Sequence, residues 1–276
     1  MSNELKVAVC EMTSLDDVDQ NFAQIKTLLS HLENPNSYQL VCFPENALAM
    51  RLSDKTLPSF TLDHPGFLDL AKWAKAHGCA LHIGSVALDM NGVIYNASIL
   101  IRADGSIETP YQKIHLFDVD VKGEKRVAES DSFRHGKDSS VFEIDGWKFG
   151  SSICYDVRFS ELYARYAALE VDAILVPAAF LVTTGQAHWE ILLRARAIEN
   201  QCYVLAAAQG GEHKSVNGVR QTYGHSLAID PWGVKLGEVL PGSAPGSTGR
   251  ILTATLKRDR INEVRRQIPM KSHRRL

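Results

Sequence analysis

Trp147-Lys148-Phe149-Gly150-Ser151-Ser152-Ile153-Cys154-Tyr155-Asp156-Val157-Arg158-Phe159-Ser160-Glu161 reads as an apolar strand that gives way to polar residues able to open a helix. Just upstream, Asp145-Gly146 is a two-residue hairpin signal, so an earlier strand pairs antiparallel with this one. Downstream, Ser160 can cap a helix through Leu169, and Asp172 to Val176 is a buried strand. A hairpin feeding a crossover helix and then another buried strand puts antiparallel and parallel pairings together.

The same alternation runs along the rest of the chain. Leu5 to Met12 reads as a strand, Asp16 to Leu32 as an amphipathic helix behind Ser14, and Gln39 to Phe43 as a buried strand. Pro65 to His77 is a helix closed by Gly78, followed by a strand over Cys79 to Leu88 and its hairpin partner Val93 to Ile101 across Asn91-Gly92. A strong helix pattern covers His188 to Asn200. Strands follow at Tyr203 to Ala208, His225 to Ile229, Val234 to Val239 and Arg250 to Leu256, with a short helix after Lys257. Strand pairs mixed with crossover helices imply an α/β protein of two mixed sheets covered by helices, rather than one doubly wound sheet. Pro241 to Ser247 reads as a loop too near the end to separate domains, so residues 1–276 are expected to form a single domain.

Composition narrows the function. With 276 residues, 45% hydrophobic and a net charge of −2, the chain has an ordinary globular make-up and no basic field for nucleic acid. Its longest apolar run, Ala173 to Val182, contains Pro177 and is too short to cross a membrane. The first residues lack the basic and apolar regions of a secretory signal, so a cytoplasmic protein is expected. Five cysteines with no Cys-x-x-Cys pair argue against a disulfide framework, and ten histidines without His-x-x-x-His or Cys/His clustering argue against a metal. No cofactor is implied, and a small-molecule substrate is the better prospect.

Cys154 stands where a fold can present a nucleophile. A strand holds the sulfur, and free backbone N–H groups at a helix start lower a thiol pKa and bind a developing oxyanion. Two segments could supply its partners. Leu40-Val41-Cys42-Phe43-Pro44-Glu45-Asn46 is an apolar strand ending in a carboxylate, and Tyr111-Gln112-Lys113-Ile114-His115-Leu116-Phe117 carries a lysine between apolar and aromatic residues.

With these three segments the chain resembles the nitrilase (carbon-nitrogen hydrolase) superfamily, whose signature is a Glu, Lys, Cys triad matched by Glu45, Lys113 and Cys154. The resemblance runs from Val7 to about Pro269 and includes Ala187-His188-Trp189-Glu190 and Arg194-Ala195-Arg196-Ala197-Ile198-Glu199-Asn200. It implies a four-layer α-β-β-α sandwich that dimerises through helices into a homodimer. It also implies a second glutamate beside the lysine, for which Glu129 is the better match and Asp120 the rival.

The implied chemistry suits an amide, whose hydrolysis needs a nucleophile, an oxyanion site and a proton donor to nitrogen. Cys154 would attack, Glu45 would move the proton, Lys113 and the Tyr155 N–H would hold the oxyanion, and a thioester would release a carboxylic acid after ammonia departs. Phe180, Thr183 and Thr184 are the candidate pocket walls. Asp156 and Arg158 are expected to brace the elbow as an ion pair, and Arg196 and Glu199 to pair along one helix. A rival Cys–His arrangement through His115 or His188 has no evident acidic partner.

Cys154-Tyr155-Asp156-Val157-Arg158-Phe159 and Lys113-Ile114-His115-Leu116-Phe117-Asp118-Val119-Asp120 look like the Nit branch, which hydrolyses amides of 2-oxo dicarboxylic acids. Leu192 to Gln209 with Tyr223-Gly224-His225-Ser226 is closer to its deaminated-glutathione amidases, whereas the paired threonines of Phe180 to Gly185 are closer to ω-amidases acting on α-ketoglutaramate and α-ketosuccinamate. Deaminated glutathione is the preferred expectation. A catalytically silent scaffold would show a broken triad, and this one is intact.

Overall fold

The computed structural model describes residues 2–52, 57–120, 127–240 and 250–275. In chain order the strands are β1 (Glu4–Cys10), β2 (Leu40–Cys42), β3 (Ala80–Met90), β4 (Val93–Ile101), β5 (Ile107–Gln112), β6 (Asp118–Val119), β7 (Val127–Ala128), β8 (Val141–Ile144), β9 (Trp147–Ser151), β10 (Ala173–Leu175), β11 (Tyr203–Ala206), β12 (Gly210–Ser215), β13 (Gly218–Tyr223), β14 (Leu227–Ile229), β15 (Lys235–Glu238) and β16 (Ile251–Lys257). The helices are α1 (Val18–Ser30), α2 (Pro65–His77), α3 (Ser160–Ala168), α4 (Val182–Asn200), α5 (Arg258–Gln267) and α6 (Met270–His273).

Two six-stranded sheets result, in the orders β16-β1-β2-β3-β4-β5 and β15-β14-β11-β10-β9-β8. Each has three parallel strands at its centre, β1-β2-β3 in one and β9-β10-β11 in the other, flanked by antiparallel neighbours. These central strands are apolar on both faces because each face meets a different layer. In β1, Leu5, Val7 and Val9 join Leu40, Phe149, Leu175 and Leu205 between the sheets, while Ala8 and Cys10 join Ile25 and Leu28 of α1 and Phe67 and Leu70 of α2. On the second sheet the outer layer is Tyr163 and Tyr166 of α3 with Trp189, Leu193 and Ala197 of α4. The order of layers is therefore α-β-β-α, as expected.

Both hairpin signals fold as their residues dictate. Asn91-Gly92 and Asp145-Gly146 take left-handed φ values of 58°, 82°, 50° and 78°, the geometry that matches strand twist. Gly78 closes α2 at φ 61°. His82 is the polar exception between the sheets. It is fully buried and stacks on Phe142 at 6.3 Å, and among the described residues neither ring nitrogen has a hydrogen-bond partner. Burial pushes its pKa down to about 3.

Several boundaries differ from expectation. Asp17, not Ser14, caps α1 by accepting the Gln20 N–H at 3.0 Å, while Ser14 is buried and donates to the Ala47 carbonyl. Phe159, not Ser160, is the N-terminal cap of α3. Helix α4 begins at Val182, six residues before the apolar period becomes visible, because Thr183, Thr184 and Gly185 carry weak helix propensity. The polar hairpin β12–β13 and strand β5 were not foreseen. The loop expected at Pro241 to Ser247 lies outside the described residues. No helix among the described residues is long and apolar enough to cross a membrane.

Candidate active site

The loops that leave the carboxyl ends of two central parallel strands, β2 and β9, carry Glu45 and Cys154, the usual ligand position in such sheets. Glu45 lies three residues beyond β2, and Lys113 directly follows β5. Cys154 lies three residues beyond β9 at the start of a short 3-10 turn, Cys154–Arg158. Its φ of 49° is left-handed, a conformation that costs a non-glycine residue about 1–3 kcal/mol and clusters at functional sites. Neighbouring bonds hold it there. The Cys154 N–H donates to the Pro177 carbonyl at 2.8 Å, and the Asp156 carboxylate accepts the Ile153 N–H at 2.9 Å.

Four side chains converge. Lys113 Nζ donates to Glu45 Oε1 and to Glu129 Oε2, each at 2.8 Å, with the Lys113 and Glu45 side chains 2% and 4% exposed. Glu45 and the Ala179 N–H both act on the ionisation of the Cys154 thiol, in opposite directions. Burial would lower the Lys113 pKa, but Glu129, Glu45 and Cys154 outweigh it and the ammonium is held well above its ordinary value. Burial, reinforced by Glu45, pushes the Cys154 thiol well up against the opposing pull of Lys113 and the Ala179 N–H. The resting sulfur is thus a protonated thiol beside an acceptor carboxylate. Glu129 rather than Asp120 meets the lysine; Asp120 is exposed.

Two supporting residues escaped the sequence reading. Asn96 of β4 donates from Nδ2 to Glu45 Oε1 at 3.1 Å and to Glu129 Oε1 at 2.6 Å, so one amide braces both carboxylates. A polar residue inside the apolar run Val93 to Ile101 was the available signal. Gln209, buried just past β11, donates from Nε2 to Ser14 Oγ at 2.7 Å and to the Glu45 carbonyl at 2.9 Å, and its N–H meets the Ala178 carbonyl at 2.8 Å. It ties the loop bearing Glu45 to the segment whose next residue acts on the Cys154 thiol.

The elbow is braced differently from the expected ion pair. Asp156 is fully buried and accepts from Tyr111 at 2.9 Å, from the His115 backbone at 3.0 Å and contacts His115 Nδ1 at 2.7 Å, so the segment bearing Lys113 is sewn to the turn bearing Cys154. His115 therefore does have an acidic partner, yet its ring stacks on Phe159 at 3.7 Å and does not line the cavity holding Cys154. Arg158 instead meets His188 Nδ1 at 3.2 Å and lies over the Phe180 ring at 5.3 Å. Arg196 and Glu199 pair at 2.7 Å as expected, and Arg196 Nε also donates to the Val157 carbonyl.

Glu45, Lys113, Glu129 and Cys154 open into a cavity of about 670 Å³. Its wall uses Ala179, Leu181 and Val182 rather than Phe180, Thr183 and Thr184. Phe180 turns into the core against Trp189, with ring centroids 4.7 Å apart, and both threonines sit in the first turn of α4, where Thr184 Oγ1 donates back to the Leu181 carbonyl. Tyr155 follows Cys154 with its ring edge on Phe117 at 5.0 Å, and its own N–H belongs to the peptide next to Cys154. Among the described residues no group of three His, Cys, Asp or Glu could hold a metal ion.

Two six-stranded sheets with a buried cysteine, carboxylate and lysine gathered at one cavity are consistent with the carbon-nitrogen hydrolase family, and the chain belongs to that family, which it matches over residues 6–266. Among individual relatives, it is 37% identical to a deaminated glutathione amidase of Yersinia enterocolitica, over 98% of this chain and 92% of the relative. It is 36% identical to omega-amidase NIT2 of Xenopus tropicalis, over 86% of this chain and 83% of that protein. The crystal structure of Saccharomyces cerevisiae Nit3, described as a member of branch 10 of the nitrilase superfamily, superposes with a TM-score of 0.77 at 26% identity, covering 100% of this chain and 98% of that one.

Proposed function

We propose that the protein is an amidase that cleaves the C–N bond of a small 2-oxo amide, deaminated glutathione by preference, through a thioester on Cys154. The observation that carries this reading is the buried Glu45–Lys113 pair at 2.8 Å in the wall of the same cavity that Cys154 lines. As the sulfur attacks the amide carbon, Glu45 accepts the thiol proton. The carbonyl oxygen becomes an oxyanion held by the Tyr155 N–H and by Lys113; two of the three lysine donors go to Glu45 and Glu129, leaving one for the substrate. Glu45 then gives its proton to the departing amine, the C–N bond breaks, and the thioester forms. Water that loses a proton to Glu45 attacks the thioester, the C–S bond breaks, and the returning proton restores the thiol. Glu129 and Asn96 orient the lysine and the base.

The two candidate substrates release different amines. α-Ketoglutaramate releases ammonia, but cleavage of deaminated glutathione at the same carbonyl releases cysteinylglycine, so ammonia detection alone would miss the preferred reaction. The relatives named as deaminated glutathione amidases support that preference, as does a cavity within the size range of small-molecule sites. ω-Amidase activity is the alternative, supported by the Xenopus relative. The test compares kcat/KM for release of 2-oxoglutarate from the two substrates; a much higher value on α-ketoglutaramate reverses the preference. Cys154→Ala is expected to abolish both reactions, and intact-mass measurement should find an acyl adduct on Cys154. Turnover in that variant would remove the mechanism.

The same reading carries a single domain over residues 1–276, a cytoplasmic location and a homodimer formed through helices. Exposed Ile191 and Ile198, one heptad apart on α4, support a helical contact face; light scattering of the purified protein tests the dimer.

A further inference from the structure

Asn96, 1% exposed in β4, spends its whole amide nitrogen on two carboxylates and leaves its oxygen idle. Nδ2 donates to Glu45 Oε1 at 3.1 Å and to Glu129 Oε1 at 2.6 Å, while Oδ1 is buried with no hydrogen-bond partner among the described residues. An orphaned buried acceptor works against folding, so its presence needs a reason. The opposite orientation of the amide would set that oxygen against two carboxylates, and the partners therefore fix which way it points. The backbone is committed as well: the Asn96 carbonyl accepts the Lys113 N–H at 2.8 Å.

The donors around Lys113 are distributed unevenly over the two carboxylates. Glu129 Oε1 receives Asn96, and Glu129 Oε2 receives Lys113 Nζ at 2.8 Å and the Phe117 N–H at 2.7 Å. Glu45 Oε1 receives Lys113 Nζ at 2.8 Å together with Asn96. Glu45 Oε2 has no N–H or O–H donor among the described residues. Two carboxylates bound to one ammonium and one amide lie close enough to compete for a proton or to share one. Here N–H groups stand where a shared proton would sit.

We infer that Asn96 is a positioning residue that confines proton transfer to a single atom, Glu45 Oε2, by keeping Glu45 Oε1 and the facing oxygen of Glu129 occupied. This rests on the amidase reading of the site and deepens it. The thiol proton moves to Oε2 as the S–C bond forms, and from Oε2 to the amine nitrogen as the C–N bond breaks, while Glu129 stays out of the exchange. The other charged groups near the cluster are Cys154 itself, Arg51, Asp131 and Arg220 along the same cavity, and the Asp156–His115 pair behind the turn of Cys154. All of these are identical in the variants below, so their contributions cancel.

The experiment measures kcat and KM against pH on α-ketoglutaramate and deaminated glutathione for the parent, Asn96→Leu, Asn96→Asp and Asn96→Ser. N–H donors favour the ionised carboxylate, so without them the base is lost to protonation at a higher pH. The acid limb of kcat/KM should move up by about one to two pH units in Asn96→Leu, the worth of one hydrogen bond to a charged group. Raising the pH should then restore most of the turnover lost near neutrality. Asn96→Asp, which adds an acid in the same volume, should move the limb further and steepen it, because a second proton is taken up. KM should stay near the parent value, since Asn96 does not line the cavity. A fall of kcat that is uniform at every pH, or kinetics unchanged in Asn96→Leu, overturns the inference and leaves the amidase intact. If the parent turns over neither amide, the amidase reading fails, and Asn96 is judged by alkylation of Cys154 with iodoacetamide, followed by peptide mass. There the S–C bond forms, iodide leaves and the thiol proton goes to Glu45; the acid limb should again move up in Asn96→Leu, and an unmoved limb overturns the inference. Should Asn96→Leu not fold, Asn96→Ser, which keeps one O–H donor, should shift the limb by less in the same direction, and no shift there is equally decisive against it.

Discussion

Replacing His82 with leucine should remove a specific part of the protein's acid sensitivity. The ring is fully buried between the sheets with neither nitrogen hydrogen-bonded among the described residues, and burial holds its pKa near 3 instead of 6.5. Above pH 6.5 the residue is neutral in both the folded and unfolded chain, so it adds no pH dependence. As pH falls below 6.5 the unfolded chain binds a proton that the folded chain refuses until about pH 3, so stability declines across that window. At pH 5 the decline amounts to about 1.5 pK units, or about 2 kcal/mol at 1.36 kcal/mol per unit. His82→Leu keeps similar volume, carries no proton, and removes two unsatisfied nitrogens whose desolvation costs about 1–3 kcal/mol, against the lost stacking on Phe142. The assay is urea unfolding followed by tryptophan fluorescence at pH 7.5, 6.5, 5.5 and 5.0 on both proteins. Other titrating groups, including His213 with its pKa lowered to about 4, cancel in the comparison. The parent should lose about 2 kcal/mol more than the variant between pH 7.5 and 5.0. Parallel curves would refute the buried neutral imidazole as a source of acid lability.

Gln209→Ala should lower kcat by about tenfold with little change in KM, since each hydrogen bond to the Glu45 loop contributes roughly 1 kcal/mol and the substrate is not touched; steady-state kinetics check it. Gly84→Ala inserts a Cβ 2.2 Å from the Phe43 carbonyl and 2.4 Å from the Pro177 side chain, so unfolding experiments should find about 1–3 kcal/mol of destabilisation together with lost turnover. Lys113→Met leaves Glu45 and Glu129 facing each other without their cation, and should cost about 3–5 kcal/mol in denaturant midpoints as well as all activity. Retained stability in that variant would show that the cluster is less tightly coupled than its geometry.

The sequence made the central strands legible because β2, β10, β11 and β14 and most of β1, β3 and β4 are buried on both faces, and made two hairpins legible through Asn91-Gly92 and Asp145-Gly146. It hid β12–β13, whose residues Gly-Gly-Glu-His-Lys-Ser and Gly-Val-Arg-Gln-Thr-Tyr are mostly polar and bury only a few side chains such as His213 and Thr222. The hairpin exists through long-range fastening to Ser14, Asp16 and Leu52, which no local pattern encodes. Glu45, Lys113 and Cys154 could be singled out because their order, spacing and flanking residues together match the family's pattern, whereas each alone has a plain structural reading. Asn96 left only the faint signal of a polar residue in an apolar run, and Gln209 left none, because its importance depends on which loops the two sheets bring face to face. The pocket walls went astray by one or two residues: Phe180 and its neighbours alternate between core and cavity, and the onset of α4 sets which of them turn inward.

Glu45 and Cys154 ride on opposite sheets, and the layer between those sheets is mainly greasy contact that has no preferred direction of slip. The separation of Glu45 from Cys154 is consequently a gauge of how the two halves are stacked, indexed by the Gln209 amide, by the Asp156 bonds to Tyr111 and His115 and by the close approach at Gly84. A molecule gripping both halves at once would rivet them. Warming or mild denaturant that lets them slide by a fraction of a bond length should silence the chemistry while every helix and strand is still standing.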